Sequence, residues 1–317
     1  MAKIICPGEL LIDFVCDDRD VMLQDGEHFI KKAGGAPANV CAAIVKLGSS
    51  AAFVGKVGKD SFGNFLYTMV KSLGVDTKYC LKDEKYNTTL AFVSLTADGE
   101  RDFEFIRGAD ENLCTEDIHF EDFSESTIIH LGSATALLGG ELYKTYQAFI
   151  DYAVKNNKVI SFDPNFREAL FGDKQDLFKE RCKEIIKRTD ILKVSLEEAS
   201  LITDETNETL MIDKLHDFGA KVITITKGKD GSILSINKEK VVVPSIPVKM
   251  VDATGAGDAY IGAVLAQVAE LDSHKEALLD SVIMKKIIEL ANKVGAKTTE
   301  KYGAIQAIPR LEDIDKQ

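Results

Sequence analysis

The later part of the chain repeats one pattern, an apolar run followed by a helical stretch, with short connections between them. The runs fall at residues 127–131, 158–162, 191–194 and 221–226. Strands that alternate with helices in this way pair in parallel, and the crossover helices then cover both faces of the sheet. The expected fold class is therefore α/β. Earlier in the chain, apolar runs at 4–14 and 51–57 read as further strands. A helix between them runs from Pro37 to Leu47, with Pro37 in its first turn and Gly48 as its stop. Another, at 61–73, is expected to start on Ser61 as its N-cap.

Two alternating runs, 90–95 and 101–106, flank Ala97-Asp98-Gly99-Glu100, a good hairpin turn. With a polar excursion after Cys16 they make a small sheet with one apolar face, which needs a cover: a closed site or a second copy of the chain. With 317 residues, 45% of them hydrophobic, one large core with a small appendage is expected. No Pro/Ser-rich linker and no fixed-period repeat marks a second unit, so 1–317 reads as a single domain. The formal charge of −12, with no Lys/Arg-rich block, argues against nucleic acid or an anionic membrane as the main partner. Six scattered cysteines without a Cys-x-x-Cys pair read as reduced core thiols rather than disulfides or a zinc site. No apolar run approaches the ~20 residues of a membrane span, and the N-terminus breaks too soon for a signal peptide. A cytoplasmic protein is expected.

The chemistry concentrates in Val251-Asp252-Ala253-Thr254-Gly255-Ala256-Gly257-Asp258-Ala259-Tyr260, which opens an apolar helical run to Leu271. Gly255 and Gly257 let the backbone turn tightly and approach a ligand. The amides and positive dipole of a helix start favour an anion, and Asp258 puts a carboxylate in the same turn. Phosphoryl transfer needs that combination: donors for the phosphoryl oxygens and a carboxylate beside the attacking hydroxyl. A glycine-rich helix start with a first-turn Asp is the competing account. Gly55-Lys56-Val57-Gly58-Lys59 lacks P-loop spacing, and no zinc-protease, nucleophile-elbow or dinucleotide fingerprint is present.

The 251–260 segment resembles the C-terminal signature of the ribokinase-like (PfkB) carbohydrate kinases, with Ala253 where Thr is commoner. Ala33-Gly34-Gly35-Ala36-Pro37-Ala38-Asn39 resembles the N-terminal signature of the same family, and the likeness extends over essentially the whole chain. Phe162-Asp163-Pro164-Asn165-Phe166-Arg167 resembles a further segment of the same family, and Gly8-Glu9-Leu10-Leu11-Ile12-Asp13-Phe14 and Phe103-Glu104-Phe105-Ile106-Arg107-Gly108-Ala109-Asp110 are similar to segments of fructokinases, although only Gly108 separates Arg107 from Ala109 here.

The resemblance implies a ribokinase-like three-layer α/β/α sandwich with a β-sheet lid at about 15–32 and 88–108, and a homodimer formed through that lid. It implies ATP-dependent phosphorylation of a sugar, foremost D-fructose at C6. The alternatives are a 2-keto-3-deoxygluconate or nucleoside kinase, or a catalytically silent sugar-binding relative. Asp258 is then the base, and the amides around Gly255, Ala256 and Gly257 form the anion hole. Asp13, Gly34, Gly35, Asn39, Arg107 and Arg167 are implied sugar contacts. For Asp13 a turn-capping carboxylate, expected at the carboxyl end of the first sheet strand, is the other reading; for Arg107 it is a solvated lid charge. Lys193, Thr226, Gly228, Gly231 and Asn292 are implied on the nucleotide side, though 226–231 also reads as a plain strand–turn–strand and Asn292 as helix surface. Glu198 is implied near Mg²⁺ through water, and Asp252 and Thr254 near a monovalent cation such as K⁺.

Overall fold

The computed structural model describes residues 2–18, 20–95, 101–272 and 274–314. Strands β1 (Ile4–Pro7), β2 (Leu11–Cys16) and β3 (Phe29–Gly34) lead into helix α1 (Ala36–Lys46). Next come β4 (Ala51–Gly58), α2 (Ser61–Ser72), β5 (Asp76–Asp83), β6 (Leu90–Leu95) and β7 (Arg101–Ile106). Then follow β8 (Ile128–Leu131), α3 (Gly140–Lys155), β9 (Val159–Phe162), α4 (Glu168–Phe171), α5 (Gln175–Ile186), β10 (Ile191–Ser195), α6 (Leu196–Thr203) and α7 (Glu208–Phe218). The chain continues through β11 (Val222–Thr226), β12 (Ser232–Ile236), β13 (Glu239–Val243), α8 (Ala256–Val268), α9 (His274–Ala277) and α10 (Ser281–Thr298).

A nine-stranded sheet runs in the order β13-β12-β11-β10-β9-β8-β1-β4-β5, parallel from β11 to β5, with β12 and β13 antiparallel at one edge. Its strands carry Val, Ile, Leu and Phe on both faces, as a sheet covered on both sides demands. One face packs on α1, α2, α8 and α10, the other on α3, α5, α6 and α7. That is the expected three-layer sandwich. From β1 the chain proceeds to β4 and β5 on one side, then returns to β8 on the other, so the order reverses between β1 and β8. Ligands of open α/β sheets bind at such a reversal, outside the carboxyl ends of the strands.

Helix α8 is apolar all round and buried at every position from Asp258 to Ala266, as befits an inner helix. It lies against α1 so closely that a Cβ on Gly262 would stand 2.5 Å from the Ala43 Cβ. A second sheet, ordered β3-β2-β6-β7, stands apart from the first.

Several expectations shift. The run at 4–14 is two strands: Gly8 takes φ +145° and separates β1, in the large sheet, from β2, in the small one. Asp13 therefore sits within a lid strand and not at the end of the first large-sheet strand. The lid strands reach beyond the expected bounds at one end, from Leu11 to Gly34, and end at Ile106 at the other. The hairpin residues 97–100 lie outside the described residues, although β6 and β7 do pair antiparallel. Helix α2 is capped by Asp60, not Ser61; its carboxylate accepts from the Gly63 amide at 2.8 Å, which the shorter Ser61, already inside the helix, does not do. The helix that opens at the signature begins at Ala256 and ends at Val268. The stretch expected as one helix from 274 to 297 breaks in two, because Asp280 caps a fresh start at α10. β5 and β13 had no clear signal: β5 is polar along much of its length, and β13 is a short edge strand that opens with Glu239 and Lys240.

Candidate functional site

The start of α8 overhangs the carboxyl ends of β9 and β10. Gly255 is its N-cap with φ +78°, a conformation glycine adopts freely. A Cβ there would also strike Ala304 at 2.5 Å, so the closing loop packs on the signature turn. The tight turn spends the Ala256 amide on the Ala253 carbonyl at 3.3 Å. Among the described residues the amides of Gly255, Gly257 and Asp258 have no acceptor. Of the amides expected to meet an anion, that of Ala256 is therefore already taken, while those of Gly255 and Gly257 are not.

The Asp258 side chain is 7% exposed, and its Oδ2 accepts from Asn39 Nδ2 at 2.8 Å. Burial raises its pKa above the ordinary carboxylate value; the Asn39 bond, Lys193 and Arg167 oppose the rise. A carboxyl raised in this way is a better proton acceptor near neutrality than an ordinary Asp. Asn39 belongs to the first turn of α1, whose N-cap is Gly35 with φ +112°. A side chain at Gly35 would meet the Glu9 carbonyl at 2.5 Å. A Cβ on Gly34 would fall 2.1 Å from Asp13 Oδ2, so the neighbouring strand leaves room for that carboxylate.

Burial raises the Asp13 carboxyl to about 6, with Arg167 and Lys32 pulling it back. Arg167 thus lies within electrostatic reach of both Asp13 and Asp258. It is steadied by bonds to Asn165 Oδ1 at 3.0 Å and its neighbour's carbonyl at 2.9 Å. The structure brings Asp13, Gly34, Gly35, Asn39, Arg167 and Asp258 into one neighbourhood. Arg107 stands differently: it pairs with buried Asp110 at 2.9 Å, at the root of the lid rather than free upon it.

That root is a buried polar network the sequence did not disclose. Asp110 accepts from Thr89 and, at 2.9 Å, from Thr135 Oγ1. Glu9 accepts from Ser133 Oγ and from the Ala36 amide at 3.2 Å, and burial raises its pKa. Its partners Ser133 and Thr135 lie more than a hundred residues away, and the others more than twenty, so no local pattern signals the network.

Among the residues expected to face a nucleotide, Gly228 has φ +57° and open space beside it, whereas Gly231 packs against the backbone of Val243 and Ser245. Thr226 Oγ1 reaches the Val194 carbonyl at 3.4 Å. Asn292 is buried, and its amide is taken up by the Val243 carbonyl at 2.9 Å and by Ser232 at 3.2 Å, so it shapes the wall beneath this region. Lys193 pairs with Asp163 at 2.8 Å. Glu198 forms a capping box at α6 and also accepts from the Phe166 amide at 2.8 Å, tying the 163–167 turn to β10. Asp252 accepts from Thr254 at 2.9 and 2.6 Å and from Gly303 at 2.9 Å; burial raises its pKa, but these donors outweigh it and leave it lowered.

Residues 1–311 match the pfkB family carbohydrate kinases. The chain is 38% identical over 313 residues to "Fructokinase-2" of Oryza sativa subsp. japonica, covering 97% of this chain and 91% of that protein. Among solved structures it is similar to a fructokinase with bound ATP from Xylella fastidiosa, with TM-score 0.89 and 28% identity over 99% of this chain and 97% of that one. It is also similar to a fructokinase double mutant from Vibrio cholerae O395 with fructose, ADP and potassium ion, with TM-score 0.86 and 26% identity over 99% and 97% of the two chains. The fold is ribokinase-like, and the chain is an ATP-dependent sugar kinase. From its first strand to its closing loop, the chain belongs to the pfkB family of carbohydrate kinases.

Proposed function

We propose that this chain transfers the γ-phosphoryl group of ATP to the 6-hydroxyl of D-fructose. The observation that carries the reading is Asp258, held by Asn39 at 2.8 Å beside the unpaired amides of a helix start. The sugar lies between Asp13 on the lid and Asn39 and Gly35 on α1, with Arg167 beside it. Asp258 takes the hydroxyl proton as the oxygen attacks phosphorus, and the bridging oxygen leaves with ADP. Amides of Gly255, Gly257 and Asp258 meet the phosphoryl oxygens, and the dipole of α8 adds to their field. ATP extends from there past Lys193 towards Thr226 and Gly228, above the wall made by Gly231 and Asn292.

Mg²⁺, when bound with ATP, neutralises charge on the phosphates. Among the described residues no three carboxylate, His or Cys side chains gather as a metal cage. This suits an ion that keeps its waters and meets the protein through one carboxylate. Glu198 fits, since each oxygen accepts a single amide and keeps a lone pair for a metal-bound water. Asp252 and Thr254, with the closing loop at Gly303, are the place for a monovalent cation.

The lid face that carries Asp13 also carries Val15, Ile30, Val93, Phe103 and Phe105, by strand register. Ile30 is 47% exposed. We assign this face to a homodimer contact that seals the sugar from water. Among the described residues no helix is long and apolar enough to cross a membrane. The six free thiols suit a reducing compartment, and this reading places the protein in the cytoplasm.

A coupled ADP-release assay over a sugar panel tests the proposal. Fructose is expected to give the highest kcat/KM. Turnover of 2-keto-3-deoxygluconate or a nucleoside, with none of fructose, overturns the acceptor; no turnover of any overturns the kinase.

A further inference from the structure

Lys193 stands among buried polar side chains on one sheet face: Thr224 lies opposite it on β11, Ser161 and His130 share the face on β9 and β8, and Ile191, Val222 and Val159 lie further along it. It is 6% exposed. Its ammonium donates to Asp163 Oδ2 at 2.8 Å, and among the described residues its other two N–H groups have no acceptor. It lies directly beneath the first turn of α8, since a Cβ on Gly257 would stand 3.0 Å from Lys193 Nζ. The absence of a side chain at Gly257 therefore opens a path from the ammonium to the unpaired amides.

Asp163 is fully buried, with Oδ2 on the lysine and Oδ1 without a partner. Nearby, Thr224 Oγ1 and His130 Nε2 are also buried and unpartnered. A buried ion pair is a poor source of stability, because desolvation offsets the Coulomb gain. What the arrangement does supply is a fixed positive charge with free donors, aimed at the spot where phosphoryl charge gathers in transfer.

We propose that the Lys193 ammonium is a catalytic residue that touches the phosphoryl group in flight from below, completing the hole formed by the helix amides, and that Asp163 is the residue that positions it. The proposal rests on the kinase reading and gives Lys193 the transferred phosphoryl group, not the body of the nucleotide, as its target. Asp163 acts only through the lysine. It holds one N–H and directs the other two upward.

The test compares wild type with Lys193→Met, Asp163→Asn and the apolar pair Lys193→Met/Asp163→Leu, the last chosen because exchanging both buried charges for apolar side chains tends to preserve folding. For Lys193→Met and the double variant, kcat is expected to fall about 10²–10³-fold, the loss typical of one oxyanion donor, with KM for fructose within about threefold. Asp163→Asn is expected to lose less, in kcat rather than KM. Affinity for MgADP with aluminium fluoride and fructose, a mimic of the group in flight, should fall in step with kcat, while affinity for MgADP alone stays within about threefold. A staple role alone predicts the reverse: lower melting temperature, with kcat and mimic affinity preserved in the folded fraction. Any folded Lys193 variant that keeps kcat and mimic affinity within about threefold of wild type overturns the proposal. Should both Lys193 variants fail to fold, undiminished kcat and mimic affinity in Asp163→Asn overturn it. Should wild type itself turn over no sugar, the kinase reading falls first and takes this one with it.

Discussion

At the level of single residues, the site depends on what burial does to two carboxylates. Asp258 is raised by its surroundings yet faces Asn39 and a helix dipole that stabilise its charged form, so it can accept a proton and release it. Asp258→Asn removes the acceptor while preserving shape. It should cut kcat by roughly 10²–10⁴-fold, with circular dichroism unchanged, as measured by ADP release. Asp13 makes a pH prediction with a definite sign. Its carboxyl is raised to about 6 in the folded chain against about 3.9 in an unfolded one. Burial therefore favours the protonated form, and the folded state loses stability as pH rises through about 6. Asp13→Asn should melt above wild type at pH 8, with the difference gone by about pH 4. For wild type, kcat/KM for the sugar should rise through about pH 6 as the carboxylate forms to accept sugar hydroxyls; a flat profile from pH 5 to 8 would count against that role.

At the level of elements, turns and caps position the groups. The capping box at α6 serves two segments at once, because Glu198 accepts from Ser195 at 2.8 Å and from Phe166 at 2.8 Å. Glu198→Ala leaves both amides without an acceptor in a largely buried setting. It should destabilise the chain by about 1–3 kcal/mol in urea unfolding and raise the Mg²⁺ concentration needed for half-maximal rate. How much of this was legible in the sequence follows the range over which each signal acts. The starts of α1 and α8, with Gly35 and Gly255 in their places, were plain because the glycines, Asn39 and Asp258 sit within a few residues of each other. β1 and β2 were fused in the reading because one apolar run feeds two different sheets, and only the pairing partners reveal the division. The Glu9, Asp110, Ser133 and Thr135 cluster was invisible for a related reason: each residue is unremarkable alone, and burial joins them. Arg107 was implied as a sugar contact by resemblance, and its ion pair with Asp110, three residues on, is a commitment that resemblance did not carry.

At the level of the molecule, the large sheet and its helices form the base, and the four-stranded sheet has an apolar face covered only in part, with Ile30 exposed and Val15, Val93 and Phe103 half-buried. Its register puts Ile30, Val15, Val93 and Phe103 in a row, too much apolar surface to leave wet. Sedimentation velocity is expected to show a dimer. Ile30→Asp should shift it towards monomer and raise KM for the sugar several-fold; a wild-type monomer at tens of micromolar would remove the lid contact from the account.

The contact of Gly262 on α8 with Ala43 on α1 has a mechanical result. With no room between the two backbones, Asn39 and Asp258 are held as one block, so neither helix can slide along the other. Their spacing is set when the chain folds. Any movement during turnover is then expected of the small sheet, which does not share that contact.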